Sequence, residues 1–222
     1  FPILLGKKDI ILELKKELGF DADVPIIDPK TPEEVERKNR FAKVYWETRQ
    51  RRGISLFDAE NLMRERNYFA AMMVNQGEAD ALLTGYSRSY PSVVKPMLQL
   101  IDKEPGVSLI ATTNMMMTSR GPMFMSDTAI NTNPTSEELA KIAIMTAKAA
   151  KLFGVEPVIA MISFSNFGSS SNDSANKVRE AVDYLHKNHP EMIIDGEVQA
   201  DFALNPEMLS KKFPFSKLAG KK

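Results

Sequence analysis

The sequence predicts an α/β protein built on parallel or mostly parallel sheets. Short apolar runs alternate with amphipathic helical patterns along almost the whole chain, which is the order of elements that βαβ units produce. The run Val158–Phe164 is apolar at nearly every position, as expected for a strand buried on both faces. Several helical patterns also begin at capping residues, so their starts can be placed.

The first half of the chain contains two short strand patterns, each followed by a helix. "PILLG" precedes a helix near Lys7–Leu18, and "VPIID" precedes a helix that opens at "TPEE". There Thr31 can cap, Pro32 suits the first helical position and Glu34 can close a capping box. Ser55 caps the next pattern, "SLFDAENLMRERNYFAAMMVNQG", which reads as one helix ending at a glycine. A strand, "DALLTG", and a helix through "SVVKPMLQLI" complete this half.

The second half alternates in the same way. Two strands, "SLIATTNMMM" and "PMFMSDTAI", are followed by a capped helix, "TSEELAKIAIMTAKAAKLFG". "PVIAMISF", a helix near Asn172–Asn188, the strand "MIIDG" and a last helix complete the order. The methionines Met115–Met117 lie within a strand, where core packing is more typical than a metal site or a promiscuous binding surface.

The polar stretch "DKEPGVS" predicts a joint between two α/β units, because proline and glycine interrupt both helix and strand. We therefore expect two domains, residues 1–106 and 107–222. Neither end resembles a natural terminus: Phe1 opens directly into a strand pattern without an initiator methionine, and "SKLAGKK" stops where another element is due. The sequence is thus expected to be a piece of a longer protein, incomplete at both ends.

The composition argues against several classes of protein. Lysine plus arginine and aspartate plus glutamate both number 29, unlike the basic excess of nucleic-acid-binding or membrane-surface proteins. Without cysteine, neither disulfides nor thiolate metal sites can form. His186 and His189 fall at a helix end, where solvated histidines near the helix dipole are more typical than a metal site. No apolar run approaches the roughly 20 residues of a membrane span, and no signal peptide is visible, so we expect a cytoplasmic protein.

One strand-to-helix connection, residues 163–172, is unusually rich in hydroxyl and amide groups, and we call it the serine loop. In open α/β sheets, ligands bind where strands end and helices begin. The following helix adds a partial positive charge at its N-terminus. The groups that can bind an anion or a thioester are Ser163, Ser165, Asn166, Gly168, Ser169 and Ser170. The alternative is a capped turn without a ligand, because serine and asparagine also cap helices and form turns.

The stretch "LLTGYSRSYPSVVKP" is a second candidate site. Its strand pattern ends at Thr84 and Gly85, two tyrosines flank Arg88, and Lys95 lies on the helix that follows. The aromatic rings can stack on a flat group and the cations can bind phosphate. Equally, these side chains can form the rim of a protein interface.

Two further stretches carry weaker signals. "SRGPMFMSDTAINTNPT" delivers Ser126 and Asp127 to a loop, where Asp127 can act as a base or acceptor or can simply hold the turn together. "WETRQRRG" ends a helix with three arginines, Arg49 among them, and arginine is common at helix C-termini for dipole reasons alone. The chain has no GxxxxGK[ST], no GxGxxG after a strand, no GxSxG and no metal-ligand cluster. Nucleotide hydrolysis, a Rossmann cofactor site and serine hydrolysis are therefore not expected.

Taken together, these stretches resemble the phosphate acetyl/butyryltransferase family over essentially the whole chain. The resemblance is carried by "GEADALLTG", "KPMLQLI", "SDTAINTNPTSEELAKIAIMTAKAAKLFGVEPVIAMIS" and "IDGEVQADFAL". Within the family, "TSRGPMFMSDTAIN" and "SFSNFGSS" look most like the C-terminal phosphotransacetylase-like domain of hybrid NADP-dependent malic enzymes. The resemblance implies two three-layer α/β/α units with mostly parallel sheets and a cleft between them, similar to isocitrate and isopropylmalate dehydrogenases.

The resemblance also implies that coenzyme A and an acyl phosphate meet in this cleft, where the thiolate attacks the acyl carbon and phosphate departs. Arg49 matches a family arginine associated with binding coenzyme A and phosphate. Lys95 stands where active members have a second arginine, and losing one charge-assisted hydrogen bond of a guanidinium costs roughly 1.5–3 kcal/mol. "YSRSYPS" is bulkier than the family's usual run. The family's serine–arginine pair, and the aspartate proposed to deprotonate the thiol, belong to a segment beyond Lys222.

Three functions follow from the resemblance. The first is a regulatory domain that binds acetyl-CoA or CoA and controls a preceding malic-enzyme domain, in which NADP and Mg²⁺ or Mn²⁺ serve the decarboxylation of malate to pyruvate. The second is an active phosphate acetyltransferase, which converts acetyl-CoA and phosphate to acetyl phosphate and CoA. The third is a structural oligomerisation module with a vestigial pocket. We expect a homo-oligomer, and a segment that is regulatory rather than catalytic.

Overall fold

The structure is a computed structural model that describes residues 1–221 and divides the chain into two compact units. The first unit is Phe1–Glu104 and the second begins at Pro105. The predicted joint "DKEPGVS" spans this division, while two domains with a boundary after residue 106 stay a prediction. Within the described residues, two of the three strand pairs are parallel, and each unit mixes strands with helices, which confirms the α/β class with mostly parallel strands.

The first unit combines one short parallel strand pair with a group of helices. Strand β1 (Leu4–Leu5) pairs with β2 (Ile26–Ile27), and helix α1 (Lys8–Glu17) connects them. The helices that follow are α2 (Val35–Arg49), α3 (Leu56–Leu62), α4 (Arg66–Asn75) and α5 (Tyr90–Leu100).

The core of the first unit lies between α2, α3 and α4. Phe41 and Tyr45 of α2 and Phe69 of α4 are almost completely buried, and the rings of Phe41 and Phe69 meet edge to face with centroids 5.3 Å apart. Burying each such side chain contributes about 1.5–3 kcal/mol. Helix α5 packs against α4, and Met97 and Leu100 near its C-terminal end belong to this core.

The start of α2 differs from the sequence prediction. The Thr31 hydroxyl donates to the Asp28 carbonyl oxygen (3.1 Å) instead of capping a helix, and the 3₁₀ turn Pro32–Glu34 precedes α2. The carboxylate of Glu34 forms an ion pair with Arg37 (3.2 Å) rather than closing a capping box. The proline position is as predicted, because its fixed φ suits the first turn.

The prediction of a single helix beginning at Ser55 is wrong, because the structure has two helices, α3 and α4, in this stretch. The Ser55 side chain does cap α3, since its hydroxyl oxygen accepts from the Asp58 amide (3.1 Å). The chain then leaves the helix, because the Arg64 and Glu65 amides bond to carbonyls only three residues back and Glu65 is extended. The stretch "DALLTG", predicted as a strand, pairs with no strand in residues 1–221 and is irregular.

The second unit contains one hairpin, one βαβ crossover and two short helices after it. The hairpin strands are β3 (Thr113–Thr118) and β4 (Gly121–Ser126), followed by helix α6 (Ser136–Leu152). The crossover consists of β5 (Val158–Ile162), α7 (Asp173–Asn188) and β6 (Ile193–Val198), with β5 and β6 parallel. Two short helices, α8 (Ala200–Ala203) and α9 (Pro206–Lys212), follow β6, where one helix was predicted.

Capping residues and small side chains position α6 and α7. Thr135 and Glu138 form a reciprocal capping box at the start of α6, where the sequence predicts a capped helix. The Asn172 side chain accepts from the Ser174 amide (2.9 Å) at the start of α7. Alanines on facing sides let the two helices pack closely over β6, where Leu185 and Ile194 are fully buried.

One strand pair of the second unit is antiparallel, and two predictions about the burial of its strands are wrong. Strands β3 and β4 are antiparallel, because a two-residue connection cannot return the chain to a parallel neighbour. The methionines Met115–Met117 are exposed (43%, 45% and 75%) rather than core residues. Strand β5 is not buried on both faces either, since Val158 and Ile162 are exposed at its two ends. No helix within residues 1–221 combines the length and apolar character that crossing a membrane requires.

Candidate functional site

The first unit contains a cleft of about 120 Å³ beside the start of α5. Arg88 and Lys95, two of the predicted site residues, line this cleft together with Asn67 and Ser92. The Thr84 hydroxyl donates to the Asn67 side-chain oxygen (2.9 Å), and the Asn67 amide donates to the Ser92 carbonyl oxygen (3.0 Å). The structure therefore brings three of the five candidates in this unit to one place.

The cleft is positively charged. Arg66, at the first position of α4, is a third cation in its lining, and Glu65 is the one acidic residue there. No ion pair found within residues 1–221 includes Arg66, Arg88 or Lys95. All three side chains are exposed, so they can reorient toward an anion. Sequence reasoning missed Arg66, because the single helix predicted from Ser55 placed it in mid-helix, whereas the structure places it at the start of α4.

Arg49 has a different environment. Its guanidinium donates to the carbonyl oxygen of Gln99, near the C-terminal end of α5, and it does not line the cleft. The hydroxyls of Tyr45 and Tyr68 both donate to the Gln99 side-chain oxygen (3.0 and 2.9 Å). Burial, and then the neighbouring Tyr45, raise the pKa of Tyr68 to about 12, so its hydroxyl stays a donor at neutral pH. Arg49 thus joins α2 to α5. Gly85, another predicted site residue, lies in the turn before α5, where its carbonyl oxygen accepts from the Arg88 amide (2.7 Å).

Asp127 is surrounded by hydrogen-bond donors. Its carboxylate accepts from the amide and hydroxyl of Thr112 (3.0 and 2.5 Å) and from the amide and side chain of Asn131 (2.7 and 2.5 Å). Burial raises the pKa of Asp127, but these hydrogen bonds outweigh burial and hold the pKa well below its ordinary value. Such a carboxylate is a weak proton acceptor at neutral pH, so the geometry favours the turn-holding role. The neighbouring Ser126 hydroxyl bonds to the Thr113 hydroxyl across the hairpin (2.5 Å).

The serine loop is folded around a carboxylate of the protein itself, Glu197 on β6. Glu197 is completely buried, and its Oε1 accepts from the Ser165 hydroxyl (3.0 Å) and from the Gly168 amide (2.7 Å). The Ser165 hydroxyl also bonds to the Ser169 hydroxyl and accepts from the Ser170 amide, both at 3.0 Å. Ser163 is less engaged, since its oxygen accepts one long bond from the Ser165 amide (3.3 Å).

Arg179 of α7 completes the surroundings of Glu197. Its guanidinium donates to both carboxylate oxygens (3.2 and 3.1 Å) and to the carbonyl oxygen of Ser170 (3.0 Å). Burial raises the pKa of Glu197, while Arg179, the Gly168 amide and the Ser165 hydroxyl lower it, and the net result is a pKa below the ordinary value. Glu197 is therefore ionised at neutral pH.

Asn166 and Phe167 fasten the opposite side of the serine loop. The Asn166 side chain donates to the Gln199 side-chain oxygen (2.6 Å) and accepts from the Gln199 amide (2.8 Å). Phe167 has a left-handed backbone (φ 43°), which is unusual for a residue with a Cβ, and its ring contacts those of Phe213 and Phe215. These contacts explain how a strained residue is held in the turn.

Sequence reasoning missed Glu197, Arg179 and Gln199. The available signal was the segment "IIDGEV", in which two carboxylates occupy a strand that is otherwise apolar. Buried carboxylates require partners, and the serine loop supplies them. Among residues 1–221, no set of three or more histidine, aspartate or glutamate side chains is placed to hold a metal ion.

Several known proteins are similar to this chain in sequence and in fold. The profile of the phosphate acetyl/butaryl transferase family matches residues 1–222. A phosphate acetyltransferase from Clostridium acetobutylicum is 36% identical over 226 residues, covering 98% of this chain and 67% of that protein. An NADP-dependent malic enzyme from Haemophilus influenzae is 35% identical over 224 residues, covering 99% of this chain and 29% of that protein.

A solved structure leads to the same family. A phosphotransacetylase from Streptococcus pyogenes is 37% identical and superimposes with a TM-score of 0.77, covering 99% of this chain and 67% of that one. Other phosphate acetyltransferases that the chain matches are longer, and it spans 31% to 42% of their length.

Proposed function

Because this chain belongs to the phosphate acetyl/butaryl transferase family, a family of acyltransferases, we propose that it carries the phosphate-binding part of an enzyme that transfers an acetyl group between coenzyme A and phosphate. In the direction of thioester formation, the acyl acceptor is the coenzyme thiolate, which forms a bond to the acyl carbon of acetyl phosphate. The bond from that carbon to the phosphate oxygen breaks, and inorganic phosphate leaves.

The observation that supports this proposal most strongly is the cationic cleft of the first unit. Three cations line this small cleft: Arg66, Arg88 and Lys95. None of them forms an ion pair with a carboxylate of residues 1–221. Arginine and lysine are the usual partners of phosphate oxygens, and the guanidinium can bind two oxygens at once. Ser92, in the first turn of α5, adds the positive end of a helix dipole.

Such a cleft can assist acyl transfer without acting as an acid or a base. Negative charge accumulates on the phosphate oxygens as the acyl–oxygen bond breaks, and fixed cations stabilise that charge in the transition state. The same cations bind phosphate groups in the ground state, so part of their effect is on substrate affinity. Asp127 is not assigned as the base that deprotonates the thiol, because its pKa is held too low.

The test is formation of a thioester from coenzyme A and acetyl phosphate by the natural full-length protein. Lys95→Gln removes one cleft cation and should raise the KM for a phosphate-bearing substrate about tenfold, the effect of one charge-assisted hydrogen bond. Lys43→Gln is the matched control, because Lys43 is an exposed lysine of α2 outside the cleft. No thioester formation by the wild-type protein, or equal kinetics for both variants, contradicts the proposal.

A second candidate is the acetyl-CoA-binding regulatory domain of an NADP-dependent malic enzyme. It is favoured by the match to malic enzymes of Haemophilus influenzae and Rhizobium meliloti over 99% and 98% of this chain. Acetyl-CoA in the same cleft would then shift malate decarboxylation by binding one state better, typically by about 1–3 kcal/mol. NADP and Mg²⁺ or Mn²⁺ would belong to a preceding malic-enzyme domain.

Two assays distinguish the candidates. Malate-dependent NADPH production that responds to acetyl-CoA, without thioester formation from acetyl phosphate, selects the regulatory function. Thioester formation without any NADPH production selects the acetyltransferase. Absence of calorimetric heat with coenzyme A compounds, together with loss of the homo-oligomer on truncation, selects the structural module instead.

A further inference from the structure

We infer that Glu197 is the positioning residue of the serine loop: its carboxylate fills the centre of the turn, so that substrate meets the rim of the loop and not its interior. This inference rests on the proposed function for the identity of the substrate. The internal structure of the loop does not depend on that function.

The inference rests on the buried carboxylate of Glu197, which accepts hydrogen bonds from two residues of the serine loop and from Arg179. Glu197 is 0% exposed and Ser165 is 1% exposed. One oxygen of the carboxylate accepts from the Ser165 hydroxyl, the Gly168 amide and the Arg179 guanidinium, at 3.0, 2.7 and 3.1 Å. These are the donors that a helix-start loop would otherwise offer to an external anion.

The contacts continue from the centre to the end of the loop. The Ser165 hydroxyl bonds to Ser169 and accepts from the amide of Ser170, while Arg179 donates to the carbonyl of Ser170. The Ser170 amide is thus linked to Glu197 through the Ser165 hydroxyl, and the Ser170 carbonyl oxygen is linked to it through Arg179. A buried carboxylate with this many donors rigidifies the segment that it holds.

A substrate phosphate cannot use the same donors. It would have to displace an ionised carboxylate that is buried and paired, and two like charges about 3 Å apart in that interior repel strongly. The groups left for substrate lie at the rim. The Ser163 hydroxyl hydrogen and the Ser170 hydroxyl hydrogen have no acceptor among the hydrogen bonds of the described residues, and each oxygen accepts only one long backbone bond.

The structure offers a matched control on the same strand. Asp195 of β6 is also buried (7% exposed), and it accepts from the Ser216 hydroxyl and the Lys217 amide, both at 2.8 Å. None of the hydrogen bonds that Asp195 accepts comes from the serine loop. Glu197→Gln and Asp195→Asn therefore make the same one-atom change at two buried carboxylates, only one of which holds the loop.

The first measurement is amide hydrogen exchange across residues 163–172 in the natural full-length protein without ligand. Glu197→Gln keeps one oxygen acceptor but removes the charge and places an amide group against Arg179, so the bonds to Ser165 and Gly168 weaken. Exchange at the Gly168 amide, and at the Ser170 amide that bonds to Ser165, should speed up about tenfold, the difference between a charged and a neutral acceptor. Asp195→Asn should leave these amides unchanged. Equal protection in Glu197→Gln and wild type, or equal loss in both variants, overturns the inference.

A second variant covers the case in which Glu197→Gln does not fold. Ser165→Ala keeps the Glu197–Arg179 pair and removes only the hydroxyl that links Glu197 to Ser170. The Ser170 amide should then exchange about tenfold faster. Unchanged exchange at that amide contradicts the inference.

The kinetic measurement connects the loop to substrate. Glu197→Gln should raise the KM for acetyl phosphate about tenfold while kcat changes less, because the rim groups lose their position for binding. Asp195→Asn should have the wild-type KM. A rise in KM that is equal in both variants would mean general destabilisation and would overturn the positioning role. If the wild-type protein neither binds nor turns over these substrates, the proposed function fails, and the exchange measurement still decides whether Glu197 holds the loop.

Discussion

Replacing Asp127 with asparagine separates its two possible roles, proton acceptor and turn-holding anion. The substitution keeps the size of the side chain and one oxygen acceptor, but it exchanges the other oxygen for an amide group that donates. In the wild-type structure, one carboxylate oxygen accepts from the amide and hydroxyl of Thr112 and, at longer distance, from the Ala129 and Ile130 amides. The other oxygen accepts twice from Asn131. Whichever way the new amide is oriented, its hydrogens face at least two groups that donate to the wild-type carboxylate.

The cost follows from those two lost bonds. Each hydrogen bond to a charged group contributes about 1.5–3 kcal/mol, and water can replace part of it because Asp127 is only half-buried. We therefore expect Asp127→Asn to lower the free energy of unfolding by about 3 kcal/mol at neutral pH. The folded-state pKa of Asp127 is depressed, so its stabilising contribution is complete above the ordinary value of 3.8 and is lost as pH falls through the lower folded pKa. The difference between variant and wild type should accordingly shrink below about pH 4.

Urea unfolding followed by far-ultraviolet circular dichroism measures this difference. The single tryptophan, Trp46 on α2, lies in the other unit, so its fluorescence is not a direct probe of the Asp127 turn. A free energy of unfolding within about 0.5 kcal/mol of wild type refutes the turn-holding role. If stability is unchanged while acetyl transfer falls by about a thousandfold, the effect expected for losing a general base, Asp127 is the base instead.

Three further changes test other parts of the structure. Thr135→Ala removes the capping box of α6 and should cost about 1 kcal/mol in urea unfolding, and no loss would contradict the cap. Gly196→Ala places a Cβ only 2.5 Å from the Met161 carbonyl oxygen and should cost about 2 kcal/mol or more. Gly154→Ala, with open space at its Cβ and a left-handed φ of 72°, should cost about 1 kcal/mol from backbone strain alone. Equal losses for the two glycines would mean that no close approach exists. Glu197→Gln should abolish the part of acid destabilisation that appears as pH falls below about 4.5, because the wild-type pKa is lowered on folding, and a parallel pH profile of unfolding would contradict this.

Local signals predicted most helices of the fold. The predicted cap at Ser55 and the predicted capped helix at "TSEE" place the starts of α3 and α6 correctly, since helix caps depend on residues close in sequence. Helix periodicity could not show that the chain leaves the helix before Glu65, because the apolar pattern continues past the break. The strand "DALLTG" failed for a related reason: a strand needs a partner, and composition alone does not supply one.

For the candidate sites too, the sequence predicted groupings of residues close in sequence but not contacts between residues far apart. Arg88 and Lys95 were identified because phosphate-binding residue types cluster locally, and the cleft brings them together. Glu197 was missed because it reaches the serine loop only through the parallel pairing of β5 with β6, more than twenty residues along the chain. The interpretation of the serine loop as a ligand pocket therefore lacked the one residue that fills its centre.

The affinity of the natural full-length protein for coenzyme A, measured by calorimetry with three residues at position 95, tests most directly whether the cationic cleft binds substrate phosphate. With the lysine of the wild type as reference, Lys95→Gln should weaken binding about tenfold, and Lys95→Arg should strengthen it because a guanidinium binds two oxygens. Equal affinities at all three residues, or no binding heat with the wild-type protein, would contradict the assignment of this cleft.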